Sequence, residues 1–292
     1  MSIGPHLFLA VLEGTVTGFV LALTALGLSL VFGVMRIVNI SHGEFFMLGA
    51  VVAWWCTTLV DSPLGAFALA LVVGPALVGG LAIAMDWLVL RRVNYDPEST
   101  IVATIGLLYI IQQLALTFFG GDARPVEAPV YFRVVFPWFG YSGYKFVVAG
   151  LAAMLLIATW IGMSRTKLGL YMRATQHDPE IAQAFAVPVR KVYAIVFAIG
   201  AMLTAAAGIL IVPIQQAHYL MGLDPLLLSF IVVILGGLGS LRGTIVAAFL
   251  VGLSDGIISV MFSATLAKLI ATMLVAMVLV VRPGGLFGEK EE

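Results

Sequence analysis

LFLAVLEGTVTGFVLALTALGLSLVF, residues 7–32, is an apolar run that a single charged side chain, Glu13, interrupts. A helix that crosses the hydrocarbon core of a bilayer needs roughly 20 predominantly apolar residues. The residues before this run contain no Lys or Arg, whereas a cleaved secretory signal has a basic start and a shorter apolar segment. We therefore interpret residues 7–32 as a retained first membrane span.

The same pattern continues along the whole sequence. Of the 292 residues, 62% are hydrophobic and 10% are charged, and the mean hydropathy is +1.11, whereas a soluble domain carries about 25% charged residues. We therefore expect an all-α fold, a polytopic transmembrane helical bundle of eight or nine spans that occupies residues 1–292 as a single domain. The apolar blocks are 7–32, 45–60, 64–90, 101–119, 146–163, 192–214, 226–238, 244–262 and 266–281.

The positions of the basic residues predict the topology. The seventh block, 226–238, is short, and it is either a crossing helix or a half-helix that protein must cover. If every block crosses and residues 164–191 are cytoplasmic, eleven of the fifteen Lys and Arg residues lie inside. Because cytoplasmic loops are enriched in Lys and Arg, this arrangement is favoured. It places the N-terminus outside and the C-terminus in the cytoplasm.

Several classes of function are disfavoured. The formal net charge is zero, which suggests no nucleic-acid partner. The sequence lacks the G-x-x-x-x-G-K-[ST], G-x-S-x-G and H-E-x-x-H motifs, so we expect no catalytic residues and no cofactor bound by this chain. No second His, Asp or Cys stands at metal-ligand spacing from His42, and we predict no metal site. The single cysteine, Cys56, cannot form an internal disulfide.

SRTKLGLYMRATQHDPEIAQAFAVPVRK, residues 164–191, is a polar segment between two apolar blocks and holds five of the fifteen basic residues. Asp178 can accept hydrogen bonds as a helix N-cap. Pro179 suits the first helical position, and Glu180 interacts favourably with the positive end of the helix dipole. These signals predict a short helix that continues until the residue before Pro188, since the residue preceding a proline disfavours the α conformation.

This predicted helix has two small faces. Ile181 and Phe185 are separated by four positions and lie on an apolar face with Ala184, whereas Ala182 and Ala186 lie on a second face. A helix of about nine residues is not stable alone in water, so it docks on another surface. The residues leave two interpretations open, a partner protein or the surface of the chain's own bundle and lipid.

Polar side chains in or beside the apolar blocks are candidates for a translocation pathway, because such groups are costly in a membrane. These candidates are Asn39, His42, Glu44, Gln112, Gln113 and Asp255. The cluster around His42 is either a broken helix at a pathway or a plain loop. Asp255 either lines a hydrated path or makes a packing hydrogen bond. Of the adjacent residues Gln112 and Gln113, we expect one to bond between helices and the other to be able to line a path.

Two features predict packing. Asp86 precedes Arg91 and Arg92 by about one helical turn and a half, and we expect an ion pair at the membrane interface. Small residues recur at intervals of four, which lets helix backbones approach closely. The repeated positions are Gly14/Gly18, Gly200/Thr204/Gly208, Gly239/Gly243 and Gly252/Gly256.

Four separated segments carry a resemblance to a known family. They are LGLSLVFGVMRIVNISHGEFFMLGA (26–50), RATQHDPEIAQAFAVPVRKVYAIVFAIGAMLTAAAGIL (173–210), GGLGSLRGTIVAAFLVGL (236–253) and RPGGLFG (282–288). In this order they resemble the permease subunits of bacterial branched-chain amino acid ABC transporters, the LivH type. The resemblance covers nearly the whole chain.

The resemblance implies a permease subunit of an ATP-driven importer that moves branched-chain or related apolar amino acids across the bacterial inner membrane by alternating access. It implies four partners: two cytoplasmic ATPase subunits that bind ATP and Mg²⁺, a homologous second permease subunit and an external substrate-binding protein. Membrane lipid surrounds the bundle.

The resemblance also implies that residues 164–191 form a coupling loop whose short helix contacts the ATPase. The implied coupling residues are Asp178, Pro179, Glu180, Ile181, Ala182, Phe185 and Ala186. Members of that family usually have Gly at the position of Ala186. Alternatives remain open: urea, short amides or aromatic acids as cargo, a proton-coupled secondary transporter that uses Asp255, and a membrane scaffold that transports nothing.

Overall fold

The fold is described here from a computed structural model, which covers residues 3–263 and the isolated positions 265, 266, 269, 270, 273, 277 and 285. Most of the ninth apolar block, 266–281, therefore lies outside the described residues. Each of the first eight blocks coincides with a helix. The helices are α1 Ile3–Met35, α2 His42–Leu59, α3 Pro63–Met85, α4 Pro97–Phe119, α5 Gly143–Arg165, α6 Lys167–His177, α7 Pro179–Ala184, α8 Val189–Gln215, α9 Leu223–Gly236 and α10 Leu241–Met261.

Six of the described helices are long and apolar enough to cross a membrane: α1, α3, α4, α5, α8 and α10. The helix α2 has 18 residues and begins with polar side chains. The helix α9 has 14 residues, so it is about 21 Å long and shorter than the hydrocarbon core of roughly 30 Å. The structure is that of a polytopic helical membrane protein.

A short β-hairpin departs from the all-helical expectation. The strand β1, Arg133–Val135, pairs antiparallel with β2, Gly140–Ser142, in the connection between α4 and α5. The turn between the strands contains Pro137, and the backbone N–H of Phe136 donates to the carbonyl of Phe139 at 2.8 Å. β-Branched residues next to a proline-containing turn favour a hairpin over a helix.

Local capping chemistry fixes where α4 begins. Asp96 Oδ2 accepts a hydrogen bond from the backbone N–H of Ser99 at 2.9 Å, and Pro97 occupies the first helical position. The hydrogen bonds from Ser99 lower the pKa of the Asp96 carboxyl group. This arrangement satisfies a backbone donor that the helix itself leaves unpaired.

The end of α3 confirms the predicted ion pair. The helix continues into a π-helical turn, Asp86–Leu90. Asp86 is fully buried, and its carboxylate accepts from Arg91 Nε at 2.8 Å and from Tyr95 Oη at 3.0 Å. Two donors therefore compensate the burial of this charge.

The helices α1 and α8 form the centre of the bundle, since they are the most buried spans, whereas α4 and α5 are the most exposed. The glycine spacing allows the central contacts. A Cβ atom at Gly252 of α10 would lie 2.5 Å from the Cα atom of Gly18 in α1, and a Cβ atom at Gly27 would lie 2.5 Å from the carbonyl oxygen of Gly200. The prediction of close helix packing at these glycines is confirmed.

Candidate functional site

The polar segment 164–191 folds into two helices, α6 and α7, rather than one. The sequence signals predicted α7 and missed α6. The helix α6 begins where Thr166 Oγ1 accepts from the backbone N–H of Gly169 at 3.2 Å. The sequence feature that could have predicted α6 is therefore Thr166, an N-cap residue that is followed by helix-forming residues.

The predicted start of α7 is confirmed. Asp178 Oδ1 accepts from the backbone N–H groups of Glu180 at 2.8 Å and of Ile181 at 2.9 Å, and Pro179 is the first helical residue. The side chain of Asp178 thus caps α7 while its own N–H ends α6 through the carbonyl of Ala174. One residue therefore fixes the angle between the two helices.

The predicted end of α7 was placed too late. The helix stops at Ala184 because a Schellman motif closes it: Val187 N–H donates to the carbonyl of Ala182, and Ala186 N–H donates to that of Gln183, both at 3.0 Å. Ala186 adopts a left-handed conformation with φ of +61°. The turn at Ala186 therefore ends α7. The next helix, α8, begins three residues later.

The helix α7 has one buried face and one exposed apolar face. Ala182 is buried, with 4% of its surface exposed, whereas Ile181 is 56% and Phe185 is 81% exposed. Because Ala182 packs against the protein, α7 is held on the bundle and presents Ile181 and Phe185 outward. Ala186 is exposed beside them.

His42 joins three helices at the start of α2. Its Nε2 atom lies 2.9 Å from the Thr24 carbonyl of α1 and 2.9 Å from Thr204 Oγ1 of α8. Since the Thr204 hydroxyl donates to the Gly200 carbonyl at 2.9 Å, it accepts from His42. We therefore assign the proton to Nε2. The Nδ1 atom makes no hydrogen bond within the described part of the protein.

A second polar contact joins α2 to α4. The fully buried side chain of Glu44 accepts from Gln112 Nε2 at 2.9 Å, which is the interhelical bond expected of one of the two glutamines. The adjacent Gln113 faces outward and is exposed. Asn39 Oδ1 accepts from the backbone N–H and the hydroxyl of Ser41, at 3.1 Å and 2.7 Å, and so stabilises the turn before α2.

A cavity of about 300 Å³ lies among α1, α2, α8, α9 and α10, close to where α8 ends and α9 begins. Of the predicted pathway residues, Asp255 alone is part of its lining. His42 lies outside the lining but bonds to the backbone carbonyl of Thr24, which is part of it. The polar lining side chains are Thr17, Thr24, Gln215, His218, Asp224, Asp255 and Ser259. The remaining lining is apolar and includes Leu21, Phe46, Ile211 and Leu228.

Sequence reasoning missed six of these seven polar groups. Three of the six are Gln215, His218 and Asp224. They lie in or beside the connection between α8 and α9, and their signal was the polar residues in QQAHYLMGLD between two apolar blocks. A few polar groups in an apolar enclosure are typical of small-molecule sites. Buried apolar helices around a cavity with a few polar groups are typical of a membrane transport protein.

Comparison with known proteins identifies the family. Residues 10–281 match the family described as branched-chain amino acid transport system / permease component. The chain is 25% identical to the high-affinity branched-chain amino acid transport system permease protein LivH of Escherichia coli (strain K12), across 96% of this chain and 94% of that protein. It is 26% identical to the corresponding protein BraD of Pseudomonas aeruginosa, across 98% and 97%. No solved structure gives a significant match.

The fold and these matches define the class of the protein as a multi-pass membrane permease, which is a transport subunit and not an enzyme by itself. The chain belongs to the family of permease components of branched-chain amino acid transport systems.

Proposed function

We propose that this chain is the membrane-spanning subunit of an ATP-driven importer, which carries branched-chain or related apolar amino acids across the inner membrane by alternating access. The observation that carries this proposal is α7, a short helix anchored by Ala182 that exposes Ile181 and Phe185 on the bundle surface. Apolar side chains in these positions are suited to docking on a partner, because burial of one large side chain contributes about 1.5–3 kcal/mol.

The docking partner in this proposal is a cytoplasmic ATPase, present as two subunits that bind and hydrolyse ATP with Mg²⁺. Residues 164–191 are then the cytoplasmic coupling loop within a single permease domain. The excess of Lys and Arg on this side supports that orientation, with the N-terminus outside and the C-terminus in the cytoplasm. The coupling residues are Asp178, Pro179, Glu180, Ile181, Ala182, Phe185 and Ala186.

A second, homologous permease subunit completes the assembly in this proposal. The support comes from α4, which exposes Gln113 beside Tyr109 and Ile110. An amide that faces lipid without a hydrogen-bond partner is costly, whereas the amide of Gln can bond across a helix–helix interface. We therefore assign the Gln113 face of α4 to contact with the second subunit.

An external binding protein delivers the amino acid at the opposite end of the bundle. The hairpin β1–β2, the start of α5 and the end of α8 form a broad depression of about 690 Å³ there. Lys145, which lines it, forms an ion pair with Glu13 at 2.5 Å. This ion pair connects α5, which borders the depression, to α1, which lines the cavity.

The cavity matches the chemistry of the proposed cargo. A branched-chain amino acid carries an ammonium group, a carboxylate and an apolar side chain. Asp224 and Asp255 suit the ammonium group, and Leu21 and Ile211 suit the side chain. Urea, short amides and aromatic acids are the alternative cargoes, and they share only part of these features.

Association with the ATPase tests the proposal. We expect Phe185→Asp to weaken co-purification of the ATPase at least tenfold, because it places a charge in an apolar contact. The matched control is Val135→Asp in the hairpin, where an apolar side chain is 80% exposed on the opposite side of the proposed topology, and it should retain the ATPase. Normal recovery of ATPase with a folded Phe185→Asp variant would refute the docking role of α7.

A further inference from the structure

Arg36 connects the core of the bundle to the segment that carries α7. It is the residue directly after α1, has a left-handed φ of +55° and is exposed. Its Nη2 atom donates to the backbone carbonyls of Gln176 at 3.2 Å and His177 at 3.4 Å. These are the last two residues of α6, whose terminal carbonyls lack partners within the helix. A cation at this end also interacts favourably with the helix dipole.

Gln176 makes a second connection with its side chain. Its Nε2 atom donates to the carbonyl of Gly239 at 3.4 Å, in the turn between α9 and α10. The backbone of the same turn packs directly on α1, since a Cβ atom at Gly33 would lie 3.0 Å from the Cα atom of Gly239. The end of α6 thus contacts both α1 and the turn that joins α9 to α10.

These contacts connect α7 to the helices that line the cavity. The end of α6 is one residue away from α7, with Asp178 between them. The helices α1, α9 and α10 contribute Thr24, Asp224 and Asp255 to the cavity. We propose that Arg36 and Gln176 are positioning residues that transmit displacement of α7 to the cavity walls. This inference rests on the proposed function, in which an ATPase moves α7.

The geometry predicts loss of coupling rather than loss of folding when these bonds are removed. The helix α6 keeps other attachments, because Arg173 donates to the Met163 carbonyl of α5 and the buried side chain of Met172 packs in the core. Without Arg36, α6 and α7 remain attached to α5 and can still bind the ATPase. Their displacement is then passed to α1 less directly, through Gln176 and the turn that joins α9 to α10.

The test is the number of ATP molecules hydrolysed per amino acid imported by the assembled transporter in proteoliposomes. We expect Arg36→Ala to raise this ratio by about 2- to 30-fold, the range that altered coupling residues produce, with an unchanged amount of bound ATPase. Arg36→Lys should restore part of the coupling because a cation still meets the α6 carbonyls. Gln176→Ala should raise the ratio independently, and the double variant should exceed either single variant.

Arg92 supplies the matched control, because it is exposed on the same side of the proposed topology and lies in the connection between α3 and α4. Arg92→Ala should leave the ratio unchanged. An unchanged ratio in both Arg36→Ala and Gln176→Ala, with a transporting wild type, would overturn the inference. Absence of ATP-driven uptake in the wild type would instead contradict the proposed function, so the two failures are distinguishable.

Discussion

At the scale of single residues, Ala186 shows why the end of α7 was placed too late from sequence. Proline at position 188 was treated as the stop signal, but a left-handed residue two positions earlier closes the helix. Glycine marks such a position because it adopts positive φ without steric cost, and alanine gives no comparable signal. Members of the permease family usually have Gly at this position, and that Gly indicates a residue with positive φ.

Ala186→Gly should therefore stabilise the end of α7. Relief of the left-handed conformation is worth about 1 kcal/mol, so hydrogen exchange at the Val187 amide should slow about fivefold. Ala184→Gly is the matched control, because the same change inside the helix costs up to about 1 kcal/mol and should speed exchange. Faster exchange in Ala186→Gly would show that the turn is not strained.

At the scale of helices, most of the fold followed from the lengths of the apolar runs and from capping residues. The first eight apolar blocks became helices, and Asp178–Pro179 marked the start of α7. Local patterns could not show which helices meet. His42 was a pathway candidate from its polarity, but the structure places it between Thr24 and Thr204. Such contacts join residues far apart in sequence, and only packing determines them.

The contact between α2 and α4 gives a prediction at this scale. In Gln112→Leu, the buried carboxylate of Glu44 loses its donor, which should cost about 1–3 kcal/mol. Replacing both residues in Glu44→Leu/Gln112→Leu removes the unpaired group and should recover part of that loss. Thermal unfolding of the purified variants measures both effects, with Gln113→Leu as the control on the exposed face. Additive losses in the double variant would contradict a direct interaction.

The contact between α1 and α10 gives a second prediction. Gly252→Ala places a methyl group 2.5 Å from the backbone of Gly18, and overpacking of this kind costs about 1–3 kcal/mol. We expect a lower unfolding temperature. Gly150→Ala in α5 is the control, since a Cβ atom there meets nothing within 4 Å, and this variant should be unchanged or slightly stabilised. Equal behaviour of the two variants would contradict close packing of α1 on α10.

At the scale of the whole molecule, the sequence supplied the class of protein, while the structure supplied its internal arrangement. The cavity is built from α1, α2, α8, α9 and α10. Its position could not be predicted because Gln215, His218 and Asp224 lie in or beside a connection without a recognisable motif. The structure joins α7 to these helices through the end of α6, which contacts Arg36 after α1 and the turn between α9 and α10. That arrangement supports our proposal of a transporter that is driven from α7.

Uptake of a radiolabelled branched-chain amino acid into proteoliposomes tests this account most directly. The vesicles contain the assembled transporter with its binding protein, and ATP is supplied on the side of the ATPases. We predict uptake that requires ATP and both permease subunits and that Phe185→Asp abolishes while the bundle remains folded. Uptake that persists without the ATPases and collapses with the proton gradient would contradict the account.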